Sequence, residues 1–144
     1  MGRVRGQERY LETEILSSSQ EELIVKIFDG LIQFTRIAID KLKNDPAQIE
    51  IIHNNLRKAQ RACSLLMGSL NFEAAEELSR NLFSVYEFWH HELMNANLRQ
   101  DYSRIEKILP SMIEYRTTWN SLVDQSRSMR AQGKAPAEVI DRVG

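Results

Sequence analysis

Residues 49–70 read IEIIHNNLRKAQRACSLLMGSL. Within them Ile49, Ile52, Leu56, Ala59, Cys63, Leu66 and Leu70 follow one another in alternating steps of three and four. That spacing holds one side of an α-helix apolar and leaves the opposite side to Glu50, Arg57 and Arg61. Three further stretches carry similar stripes. They are Leu23, Ile27, Leu31, Phe34 and Ala38, then Leu78, Leu82, Val85 and Trp89, then Ile105, Met112, Trp119 and Leu122. An amphipathic helix stabilises itself by burying its stripe, and four of them bury against one another. The expected fold is all-α: an antiparallel, up-down-up-down four-helix bundle.

The chain has 144 residues, a length that fits one domain. The expected layout is an N-terminal arm over residues 1–16, the bundle over 17–132, and a C-terminal tail or short fifth helix over 133–144. Ser19 with Glu22 makes a capping box at the first helix, expected from about Gln20 to Lys43. Asp45 and Pro46 are expected to cap and open the second helix, Asn71 to cap the third, and Asp101 the fourth. Pro110 falls inside the fourth stripe, which continues in register beyond it, so the helix is expected to kink there rather than end. Gly133 is a natural stop.

Composition narrows the function classes. Nineteen basic and twenty acidic residues give a net charge of -1, which provides no general case for nucleic-acid binding. No apolar run is long enough to span a bilayer, and the first residues lack the apolar segment of a secretory signal, so a cytoplasmic location without membrane insertion is expected. Gly2 lacks the Ser or Thr at position 6 that myristoylation requires. Cys63 is the sole cysteine and lies on a stripe, so a buried, inert thiol is expected.

Two Glu-x-x-His motifs, Glu50 to His53 and Glu87 to His90, invite comparison with metal-binding bundles. Helical phase argues against it, because each Glu and His lies one residue off the apolar seam and therefore outside the interior. No serine has an activating base at useful spacing and there is no glycine-rich phosphate loop. The chain is accordingly expected to be no enzyme, to carry no cofactor and no metal, and to act through its surface. Gly30 sits mid-helix, where glycine costs about 1 kcal/mol relative to alanine. The expected reason is close approach by a neighbouring helix, the other being approach by a partner. The first helix is apolar on three sides, with Ile24, Val25, Phe28, Ile32, Ile37 and Ile39 added to its stripe, so it is either central or covered.

An ordered set of motifs resembles one family. Tyr10, Ser19, Glu22-Leu23-Ile24, Phe28-Asp29-Gly30-Leu31-Ile32 and Phe34 look like the opening of the flagellar secretion chaperones of the FliS type. Ser69-Leu70-Asn71, Glu77-Leu78, Asn81-Leu82, Tyr86, Asn95, Asn97, Arg116 and Trp119 continue the likeness in order and spacing, over about residues 8–125. Gln20 stands where that family has Pro, Phe28 where it has Tyr, and Ala74-Ala75 where Gly-Gly is common, while Pro110 lies outside the pattern.

The resemblance implies a cytosolic export chaperone, a monomer or homodimer, whose partners are the C-terminal segment of flagellin and the cytoplasmic domain of the type III export gate. Helices of the client would lie in apolar grooves, expected to be lined by Phe28, Ile32, Leu78, Leu82 and Tyr86. Tyr10, Leu11 and Ile15 are expected to pack on the bundle beside that groove, with Tyr10 contributing to the export-gate contact. The other classes open to the sequence are a homo-oligomeric structural bundle and a metal-binding bundle.

Overall fold

A computed structural model of the chain describes residues 20–133. Among the described residues there are four helices: α1 (Gln20–Asn44), α2 (Ile49–Gly68), α3 (Glu76–Arg99) and α4 (Ser103–Ala131). Each expected helix is present, and the helices pack as an all-α bundle. Cross-helix pairs fix the antiparallel course. His53 of α2 meets Asn97 of α3, Asp29 of α1 meets Arg116 of α4, and Trp89 of α3 meets Tyr115 of α4. Neighbours pack closely from α1 to α2, α2 to α3 and α1 to α4, whereas α3 and α4 touch over a much shorter stretch.

The core takes Phe28, Leu31, Thr35 and Ala38 from α1, Ile52, Leu56, Ala59, Cys63 and Leu66 from α2, Tyr86, Trp89 and Leu93 from α3, and Ile105 and Met112 from α4. Each large side chain withdrawn from water in this way contributes about 1.5–3 kcal/mol. On α2 the stripe is the one read from sequence, except that Ile49 is exposed at the helix start and Leu70 lies past the helix end, half-buried. On α1 the core line runs Ile24, Phe28, Leu31, Thr35, Ala38 and Leu42, so Leu23 and Phe34 flank it half-buried. Thr35 can lie inside because its hydroxyl donates to the Leu31 carbonyl at 2.7 Å, leaving no unpaired donor.

The helix ends differ from expectation at two caps. Asp45 does not cap α2: its carbonyl accepts from the Gln48 N–H at 3.1 Å, and residues 46–47 form a turn ahead of Ile49. Asn71 likewise does not cap α3, which starts five residues later. Its side-chain oxygen accepts from the Ala74 N–H and its carbonyl from the Ser79 hydroxyl, which shapes the lead-in turn. Asp101 does act at the start of α4, where its carboxylate accepts the N–H and the hydroxyl of Ser103 and is held below the ordinary carboxylate value by them. α4 runs through Pro110, whose exposed position leaves the unpaired Glu106 carbonyl within reach of water. Gly133, at φ 77°, follows the end of α4.

Candidate functional site

Charge and aromatic packing treat the two seams of α4 differently. Along α1, Glu21 pairs with Arg130, Glu22 with Arg127, Asp29 with Arg116 and Lys43 with Glu106. The Arg127 guanidinium holds the Glu22 carboxyl below its ordinary value, and Glu106 holds the Lys43 ammonium above its own. Exposed pairs are individually weak, but four spaced over the whole length fix the α1–α4 register. Along α3, only one ion pair joins α4, between Arg104 and Glu92 at 3.7 Å, among the described residues.

α3 and α4 also meet in a ladder of rings to which α1 contributes Phe28. Trp89 and Tyr115 stand edge to face at 5.3 Å, and Phe28 presents an edge to both Tyr86 and Trp89 at 6.1 and 6.2 Å. Burial pushes the Tyr86 hydroxyl up to about 12, partly offset by a hydrogen bond with Trp119. Above that ladder Leu82, Val85, Tyr115 and Trp119 are only partly covered, as is Leu78 one turn earlier. The α3–α4 seam is therefore a half-covered apolar furrow over a floor of buried aromatic rings.

The structure separates the five groove residues expected from sequence. Phe28 is 0% and Tyr86 1% exposed, so both belong to the floor. Ile32 is 7% exposed and also part of the core. Leu78 and Leu82 sit at the half-open edge. Tyr10, Leu11 and Ile15 lie outside the described residues. Tyr115 was absent from the stripe read from sequence, although Met112, Tyr115, Trp119 and Leu122 would have continued the three-four rhythm.

Gly30 does not mark a close helix crossing. The nearest atom to a Cβ placed there is Cε2 of Phe34, on its own helix, at 3.5 Å, an ordinary contact. A neighbouring backbone is thus not its reason, and the position is half-buried.

The Glu-x-x-His residues lie off the core, as their phase requires: Glu50, His53 and Glu87 are exposed, and His53 is engaged by Asn97 at 2.9 Å. No three metal-ligating side chains come together among the described residues. Cys63 is fully buried, and burial pushes its thiol up to about 12, far from a reactive thiolate. No helix among the described residues is long and apolar enough to cross a membrane.

A family model described as "Flagellar protein FliS" matches residues 4–126. Among curated proteins, the chain is 29% identical over 118 residues to the flagellar secretion chaperone FliS of Escherichia coli (strain K12), covering 76% of this chain and 79% of the relative. It is 25% identical over 121 residues to the flagellar secretion chaperone FliS of Bacillus subtilis (strain 168), covering 84% and 88%.

Proposed function

Since the chain belongs to the FliS family of flagellar proteins, we propose that it is a cytosolic, non-enzymatic export chaperone that binds the C-terminal segment of flagellin and delivers it to the flagellar type III export gate. Holding that segment keeps it from polymerising before export. The observation that carries the binding step is the α3–α4 furrow, an apolar surface left half-covered where two neighbouring helices of the bundle pack least extensively. An amphipathic helix laid there would cover Leu78, Leu82, Val85, Tyr115 and Trp119, with Phe28 and Tyr86 forming the floor beneath. A preformed floor lowers the cost of binding, because only the client has to order itself.

We propose a role at this surface for the N-terminal arm as well. Gln20, the first described residue, begins α1 beside the end of α4, where Glu21 meets Arg130. The antiparallel course puts Leu78 and Leu82, at the start of α3, at that same end of the bundle. Tyr10, Leu11 and Ile15 are therefore within chain reach of the furrow, and we assign them to its rim and to the export-gate contact.

The test is titration of a synthetic flagellin C-terminal segment into the full-length chain, followed by calorimetry and circular dichroism. The expected result is a one-to-one complex with a gain of helicity. Leu82→Gln should weaken it at least tenfold, about 1.4 kcal/mol, with little loss of stability. A segment that binds without gaining helix, or binds Leu82→Gln as tightly, would refute the helix-in-furrow mechanism. Light scattering separates the homo-oligomeric reading, which requires association without client.

A further inference from the structure

α2, which does not touch α4, presents an outer face that the client furrow does not use. Residues 51–72 contain no carboxylate, yet they contain Arg57, Lys58 and Arg61 within two turns. The three cations border an open depression of about 600 Å³ whose far wall is His90 of α3. Lys58 lies over the Phe34 ring at 5.5 Å. Arg57 and Arg61 have no ion-pair partner among the described residues, unlike Arg116, Arg127 and Arg130 on α4. In a chain of net charge -1, two adjacent guanidinium groups on one helix face thus stand outside any ion pair among the described residues.

The same seam carries exposed apolar residues toward its other end. His53 and Asn97 are bonded across it, one turn from Arg57. Beside that pair lie Ile49 on α2 and Leu98 and Met94 on α3, which are 63%, 76% and 37% exposed. Apolar side chains at one end of an antiparallel seam and cations about 12 Å further along it match the two sides of an amphipathic helix laid across the seam, its apolar side over Ile49 and its glutamates or aspartates over Arg57.

We infer that the outer α2–α3 seam is a second docking surface, for an acidic amphipathic helix of another protein, distinct from the α3–α4 furrow. Arg57 and Arg61 would take its carboxylates, in the two-pronged geometry that guanidinium favours, and Ile49, Met94 and Leu98 its apolar side. A nucleic acid suits the surface less well, because duplex binders commonly neutralise about 6–10 phosphates and this face offers three cations beside exposed apolar groups. The inference concerns a partner other than flagellin, so it can fail while the proposed client function stands.

The probe is a synthetic amphipathic helix with leucines on one side and glutamates on the other, compared with its glutamine counterpart by fluorescence anisotropy against the full-length chain. The glutamate peptide should bind and weaken steeply between about 0.1 and about 1 M NaCl, as the screening length falls from about 10 to about 3 Å. The double variant Arg57→Glu/Arg61→Glu, which changes only exposed side chains, should lose at least tenfold in affinity. Lys107→Glu on α4 should bind the peptide normally. Flagellin-segment affinity should be unchanged in the double variant, and its thermal melt should match the parent's. Equal binding of the glutamine peptide, normal peptide binding by the double variant, or displacement by an equimolar DNA duplex would each overturn the inference. Loss of flagellin binding in the double variant would overturn it too, by making this face part of the client site.

Discussion

Replacement of Phe28 by alanine tests the division between floor and rim. The ring is 0% exposed and stands edge to face with both Tyr86 and Trp89. Removing a buried phenylalanine costs about 3–5 kcal/mol through lost transfer energy and the cavity left behind. Each edge-to-face partner accounts for about 0.5–1.5 kcal/mol beyond burial, so the upper part of that range, about 4–5 kcal/mol, is expected. For a chain of this size the midpoint should fall by roughly 10–20 °C. Phe28→Leu keeps most of the volume and should cost only about 1–2.5 kcal/mol, the repacking penalty plus the lost ring contacts. Urea unfolding followed by circular dichroism measures the stability, and the fluorescence of Trp89, which the ring touches, reports the local packing. The same samples, titrated with the flagellin segment and corrected for folded fraction, should bind as the parent does. A Phe28→Ala loss below about 2 kcal/mol at unchanged denaturant slope would show that the ring is not enclosed. Weakened binding with stability intact would place Phe28 on the client surface and refute the floor assignment.

Gly30→Ala should stabilise the chain by about 0.5–1 kcal/mol, because α1 gains helix propensity and the new methyl meets only Phe34 at ordinary distance; a loss of stability in urea titration would mean that a backbone approaches there. If that variant also loses the flagellin segment, Gly30 admits a partner. Cys63 should resist a thiol-reactive dye in the native chain, with its thiol at about 12, and react at once in urea; fast native labelling would contradict its burial. Acidification should loosen the α1–α4 seam: the Glu22 carboxyl sits below its ordinary 4.5 in the folded chain, so its contribution is present above that value and is lost as pH falls through the folded-state value. Glu22→Gln should therefore flatten the dependence of melting temperature on pH below about 5, and an unchanged acid limb would show that the Arg127 pair contributes nothing.

The helices and their order follow from the sequence alone, because a period of three and four is a property of the local chain and needs no partner. α2 is the clearest case, since the line read at steps of three and four is the buried one, while Ile51 and Leu65 off that line are exposed. The family likeness is equally a property of order and spacing, from Phe28-Asp29-Gly30 to Arg116 and Trp119. α1 shows where local reading stops. With apolar residues on three sides it offers several equivalent lines, and the choice of Phe28 and Leu31 over Leu23 and Phe34 is made by the helices that pack on it. Thr35 conceals the true line, since a hydroxyl that bonds its own helix can be buried but reads as polar. The caps at Asp45 and Asn71 moved because turn geometry competes with capping for the same oxygens. The candidate site was the least legible part. Leu78, Leu82 and Tyr86 all read as apolar and match the same motif, yet only tertiary packing distinguishes the enclosed Tyr86 from the half-covered leucines. The furrow exists because, among the described residues, four ion pairs hold α4 along α1 while one ion pair and a few rings hold it to α3, and that difference depends on contacts between residues far apart in the chain, such as Glu22 with Arg127.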